Sequence, residues 1–166
     1  MHDLKPITRA GVPAALQKAN RYRLLNDSLA AESICLDILA VDPANAEALV
    51  THVLSITDQF PGAPGEVLAR AQAAAEGLKD PYAYAYYHGI VCERWAKAIL
   101  HRDVPDAGTL AHEWVARALE WYGKAESLRP EGNDEAILRW NTCVRMLHRH
   151  PTLRPREAEA YEPAFE

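Results

Sequence analysis

Apolar residues along this chain recur every three to four positions in seven separate stretches, and prolines or short polar clusters divide each stretch from the next. A period near 3.6 puts such residues on one face of an α-helix, so the pattern predicts seven helices. The first runs from about Val12 to Leu25 and stops at Asn26-Asp27-Ser28, where Asp27 or Ser28 can cap a second over 29–41. Asn45 can cap a third over 46–58, with Glu47 in the first turn, where the helix dipole favours an acid. The loop QFPGAPG (59–65) leads into an alanine-rich helix over 66–79. The last two predicted helices cover 109–128 and 134–150, separated by RPEGN.

One stretch fits the pattern only when read at the right period. PYAYAYYHG (81–89) alternates tyrosine with alanine, the spacing of a half-buried strand. Asp80-Pro81, however, is an N-cap followed by proline at the first helical position. Twenty residues then pass before the breaker cluster HRDVPDAG (101–108), whereas a strand averages about five or six. A helix is predicted, with Tyr82, Tyr86, Ile90 and Glu93 along one face. Ala85, His88, Gly89 and Cys92 form the face that meets neighbouring helices.

Composition narrows the class. The chain has 166 residues, 49% apolar and 25% charged, the size and balance of one globular domain. A net charge of −5 argues against nucleic acid, whose phosphates call for a concentrated basic face. No run approaches the roughly 18 apolar residues of a membrane span, and the first residues lack a secretory signal's apolar core. Cys35, Cys92 and Cys143 are sparse, odd in number and far apart, which suggests reduced thiols and a cytoplasmic setting.

Catalytic chemistry finds no support. None of the seven histidines has metal-ligand spacing, and no phosphate loop, nucleophile elbow or activated cysteine context occurs. No enzyme, metal or cofactor is expected. Trp114, Trp121 and Leu128 recur every seven residues and read as a core stripe. Arg139, Arg145, His148, Arg149, His150, Arg154 and Arg156 crowd the end of the last helix. Beyond them come Glu157, Glu159, Glu162 and Glu166 with Tyr161 and Phe165. Segment 151–166 is expected to be extended or disordered, with the charge to fold back on that basic helix of its own or a neighbouring chain.

An internal repeat underlies the helices. Alanine stands twelve residues before both Pro43 (Ala31) and Pro130 (Ala118), and an aliphatic residue stands two before each (Val41, Leu128). This spacing resembles the tetratricopeptide repeat, a 34-residue helix–turn–helix with small residues at positions 8, 20 and 27 and proline at 32. A register starting at Val12 puts Ala19, Tyr22, Ala31 and Pro43 at positions 8, 11, 20 and 32, though Ile38 replaces the small residue at 27. A second repeat runs from Ala46 to Pro81. A third opens at Tyr82 with Gly89 at position 8, and its second helix carries Ala118, Tyr122, Ala125 and Pro130.

The resemblance implies an all-α superhelix of helical hairpins: an extension (1–11), three repeats with a closing helix (12–150), and the acidic segment (151–166). It implies a non-catalytic adaptor or chaperone-like scaffold that binds a protein or peptide in a concave groove. The family's groove positions fall here on Leu16, Asn20 and Arg23, on Glu47, Val50, Leu54 and Thr57, and on Tyr86, Ile90 and Glu93. The positions at which one subfamily clamps carboxylates read Leu16, Asn20, Thr51, Ala83 and Tyr87, and only the asparagine fits. The alternative reading is a structural subunit that forms a homodimer or larger assembly through the same strip.

Overall fold

The computed structural model describes residues 2–156, which form seven α-helices and no strand. A 3-10 turn, Arg9–Gly11, opens into α1 (Val12–Leu24), followed by α2 (Ser28–Val41), α3 (Ala46–Thr57) and α4 (Gly65–Glu76). The series closes with α5 (Pro81–Leu100), α6 (Ala107–Leu128) and α7 (Glu135–Arg149). The fold is all-α. Among the described residues no helix is long and apolar enough to cross a membrane.

The helix starts follow from the expected caps. The side chains of Asp27, Asn45 and Asp80 accept hydrogen bonds from the amides of Ala30, Ala48 and Ala83 at 3.1, 2.9 and 2.7 Å. Each satisfies a donor that the first helical turn leaves unpaired. α6 begins two residues earlier than the sequence pattern suggests, at Ala107, because Asp106 takes a left-handed conformation (φ 56°) that breaks the chain just before it.

Each helix packs on the next, and α3 also touches both α1 and α5. The main core draws on α3 to α7. A smaller cluster at the N-terminal end joins Val12, Leu16, Ile38 and Ala48. The small residues of the repeat pattern, Ala19, Ala31, Gly89, Ala118 and Ala125, are all buried.

α5 is the central element. From Ala85 to Glu93 only Tyr87 is not buried, and Trp95, Ala96, Ala98 and Ile99 extend the buried stretch. A helix buried on most of its circumference cannot also offer an apolar face to solvent. Segment 151–156 forms no helix or strand and is exposed except at one residue. Leu153 is buried in the main core, and the Thr152 carbonyl lies where a Cβ at Gly108 would sit. A single leucine between two prolines carries no periodicity, so its docking leaves no pattern to read. Glu157, Glu159, Tyr161, Glu162, Phe165 and Glu166 lie outside the described residues.

Candidate interaction cleft

The residues expected to line a groove take three different positions. Leu16 is buried in the small cluster, and Ile90 and Glu93 are buried in the main core. Tyr86 is 8% exposed, stacked on Tyr82 (5.7 Å between ring centres) and tilted against Tyr122 (6.0 Å). These four do not form an open apolar strip. α6 packs along α5, and side chains of α7 reach the same face: Arg139 donates to Glu93, and Glu135, Leu138, Arg139 and Thr142 border a small pocket of about 330 Å³ beside Tyr86. The resemblance implied a closing helix at α7, but the sequence carries no sign of which α5 residues it would reach.

Of the rest, Asn20 accepts a 3.3 Å hydrogen bond from Thr51 and so ties α1 to α3. Glu47 is exposed in the first turn of α3, while Val50 and Leu54 are half-buried between helices. Arg23 and Thr57 are the two predicted residues that the fold brings to one site.

That site is a cleft of about 1090 Å³ where the ends of α1 and α3 meet the second half of α5. The 59–64 loop forms one wall, turned by Gly62 at φ +71°, and residues 101–104 form the rim beyond α5. Phe60 and Ala98 are buried at its floor, and Leu24 stands at the opening, 85% exposed. Phe60 meets Trp95 edge to face at 5.0 Å, which fixes the ring that closes the bottom.

Cations outnumber acids around this apolar floor, Asp58 and the exposed Asp103 being the acids of the lining. Arg23 donates to Asp58 at 2.8 Å, and Arg94 donates both to the same carboxylate and to the Thr57 hydroxyl, the latter at 2.8 Å. Two guanidiniums on one carboxylate leave a net positive charge. The Arg102 guanidinium stacks 4.5 Å from the centre of the Trp95 ring and donates to the Ala63 carbonyl. Its Nε is buried without an acceptor, and among the described residues Arg102 joins no ion pair. Lys97 turns away to Glu93.

The sequence held a signal for this site. Arg94 and Lys97 on α5 and His101 at its C-cap stand three, then four residues apart, so they form one basic stripe, beside the loop 60–64. A second charged cluster lies elsewhere, between α2 and α4, where Glu32 accepts from Gln59 at 2.6 Å and from Arg70. Burial pushes the Glu32 carboxyl up, but the Gln59 and Arg70 hydrogen bonds and the Arg70 and His52 charges outweigh it. The group sits below the ordinary glutamate value. Among the described residues no three potential ligands gather as a metal site.

Comparison with protein-family models, curated proteins and solved structures finds no match.

Proposed function

We propose that this chain is a non-catalytic adaptor of the tetratricopeptide type, working in the cytoplasm, which holds a partner protein by a peptide or helix carrying apolar anchors and acidic groups. The observation that carries the reading is the cleft: an apolar floor ringed by arginines, sized for a few side chains, at the ends of α1, α3 and α5. These are the first helices of the three repeats, and the buried small residues at the repeat positions support that assignment. The three buried, unpaired cysteines support a reducing compartment.

Cross-linking from the cleft tests the proposal. A photoreactive amino acid at Leu24 or Val104, both exposed at the opening, should capture a protein partner in cells. The same group at Ser127, exposed on α6, should not. With the group at Leu24, Val104→Glu sets a carboxylate on the exposed rim against the partner's acidic groups and should abolish capture. Capture that is equal from all three positions, or unaffected by Val104→Glu, would show that the cleft is not the site. Tyr86→Asp is unsuitable here, because it buries a charge and so measures folding, not binding.

A second reading has its own support. Leu24, Leu25, Leu29 and Leu36 are exposed around the α1–α2 turn, with Leu29 and Leu36 on one stripe of α2. An apolar surface at the end of a helical array suits contact with a second copy. Light scattering over a dilution series separates the readings: a tight dimer that Leu29→Lys dissociates favours self-assembly.

A further inference from the structure

We propose that residues 157–166 of this chain, EAEAYEPAFE, dock in the arginine-ringed cleft and compete there with an external partner. The proposal rests on the reading of that cleft as a peptide site and names its first occupant.

The last described residues are held beside the start of α6, near the rim of the cleft. After α7 the chain does not continue along the helix axis but runs back across the start of α6, with Leu153 in the core and the Thr152 carbonyl against Gly108. Gly108 is the residue that lets these backbones meet, since any side chain there would strike the carbonyl. Arg156 then pairs with Glu113 of α6 at 3.2 Å. Thr152, Arg154, Pro155 and Arg156 share a hollow with residues 106–109, and Val104, two residues before Asp106, stands on the rim of the cleft. Ten extended residues reach about 33 Å.

The chemistry of segment and cleft is complementary. Four of the ten residues are glutamates, and Tyr161 and Phe165 supply two apolar anchors four positions apart. The cleft offers Arg102 without a carboxylate partner among the described residues, and the excess charge of Arg23 and Arg94 over Asp58. Its floor of Phe60 and Ala98, with Leu24 and Val104 exposed above, is the apolar surface that two aromatic rings require. The exposed arginines at the end of α7 answer the charge too, with Leu138 and Trp140 exposed earlier on that helix, but only the cleft sets a recessed apolar floor beneath its cations.

A ligand tethered so close acts at an effective concentration in the millimolar range, so an external peptide binds only by displacing it. The test uses the full chain. In amide NMR spectra, Tyr161→Ala/Phe165→Ala should shift Gly62, Ala63, Ala98 and Val104 and leave the α1 residues Ala14 and Gln17 in place. A fluorescein-labelled EAEAYEPAFE peptide should bind that double variant at least ~10-fold more tightly than the unaltered chain, because the competing segment has lost its anchors. Adding Arg102→Glu or, at the exposed rim, Val104→Glu should abolish the peptide's binding.

Equal peptide affinity for both chains with unmoved cleft amides would overturn the proposal yet leave the cleft as a peptide site. Absence of peptide binding to either chain would overturn the proposal and count against the adaptor reading as well. Shifts confined to Arg145–Arg149, or shifts that grow with protein concentration, would overturn it in favour of docking on α7 or on a second copy.

Discussion

The Tyr122 hydroxyl donates a 2.6 Å hydrogen bond to the Glu93 carboxylate, and solvent reaches neither side chain. The bond joins α6 to α5, and Lys97 and Arg139 bring positive charge to the same carboxylate from α5 and α7. A buried carboxylate is tolerated only when paired and hydrogen-bonded, so this cluster fixes the register of three helices. Burial, and then the Glu93 charge, raise the Tyr122 pKa, so the phenol stays the donor. Tyr122→Phe keeps the ring and removes the donor. It should lower unfolding stability by about 1–3 kcal/mol, measured by urea denaturation. An unchanged midpoint would mean that Lys97 and Arg139 suffice for Glu93.

Gly89 lies directly against that tyrosine ring. A Cβ there would stand 2.5 Å from Tyr122 Cε1, and the ring is fully buried and held by its hydroxyl. Gly89→Ala therefore sets two effects against each other. Helix propensity favours alanine by about 1 kcal/mol. Overpacking against a ring that cannot move costs about 1–3 kcal/mol. The second should win, so the variant should melt at a lower temperature by calorimetry. A higher melting temperature would show that α5 and α6 can separate slightly at no cost.

How much of this was legible before the structure differs between fold and site. The helices were readable because their signals are local: Asp27, Asn45 and Asp80 cap where expected, and Pro81 begins α5 despite the tyrosine alternation. The placement of Tyr86, Ile90 and Glu93 was not readable. A helix's apolar face is visible in sequence, but whether a later helix covers it depends on packing, and Arg139 of α7 reaches Glu93 across 46 residues of sequence. Arg23 and Thr57 emerged at the cleft because they stand at the ends of α1 and α3, beyond the reach of α7. Phe60 was concealed in a proline-rich loop that carries no period.

The three cysteines give a sharp test of the core. Burial pushes the thiols of Cys35 and Cys92 up to about 11 and that of Cys143 to about 12. Reaction requires the thiolate, and none forms near neutrality in such surroundings. In the native state all three should resist Ellman's reagent for as long as the fold persists, and all three should react at once in denaturant. Rapid labelling of Cys143 in native protein would place α7 away from the core.

Acid should weaken the fold through its histidines. His88 Nε2 is buried without a hydrogen-bond partner, 3.5 Å from Glu76, and its ring stacks on Trp121 at 4.8 Å. Burial lowers its pKa, and the Glu76 charge only partly opposes this. Burial lowers His52 as well, against the pull of Glu32. Both therefore bind a proton less readily folded than unfolded. Their contribution is complete above the unfolded value of about 6.5 and is lost as pH falls from there toward the folded values. Glu32, also depressed in the folded state, acts with the same sign in a lower window. Its contribution is present above about 4.3 and lost as pH falls through its folded value. The urea midpoint should thus decline between about pH 7.5 and 5.5. His88→Phe, which keeps the ring against Trp121 but cannot titrate, should flatten that decline. If His88→Phe combined with His52→Gln leaves the slope intact, the acid sensitivity arises in groups other than these two.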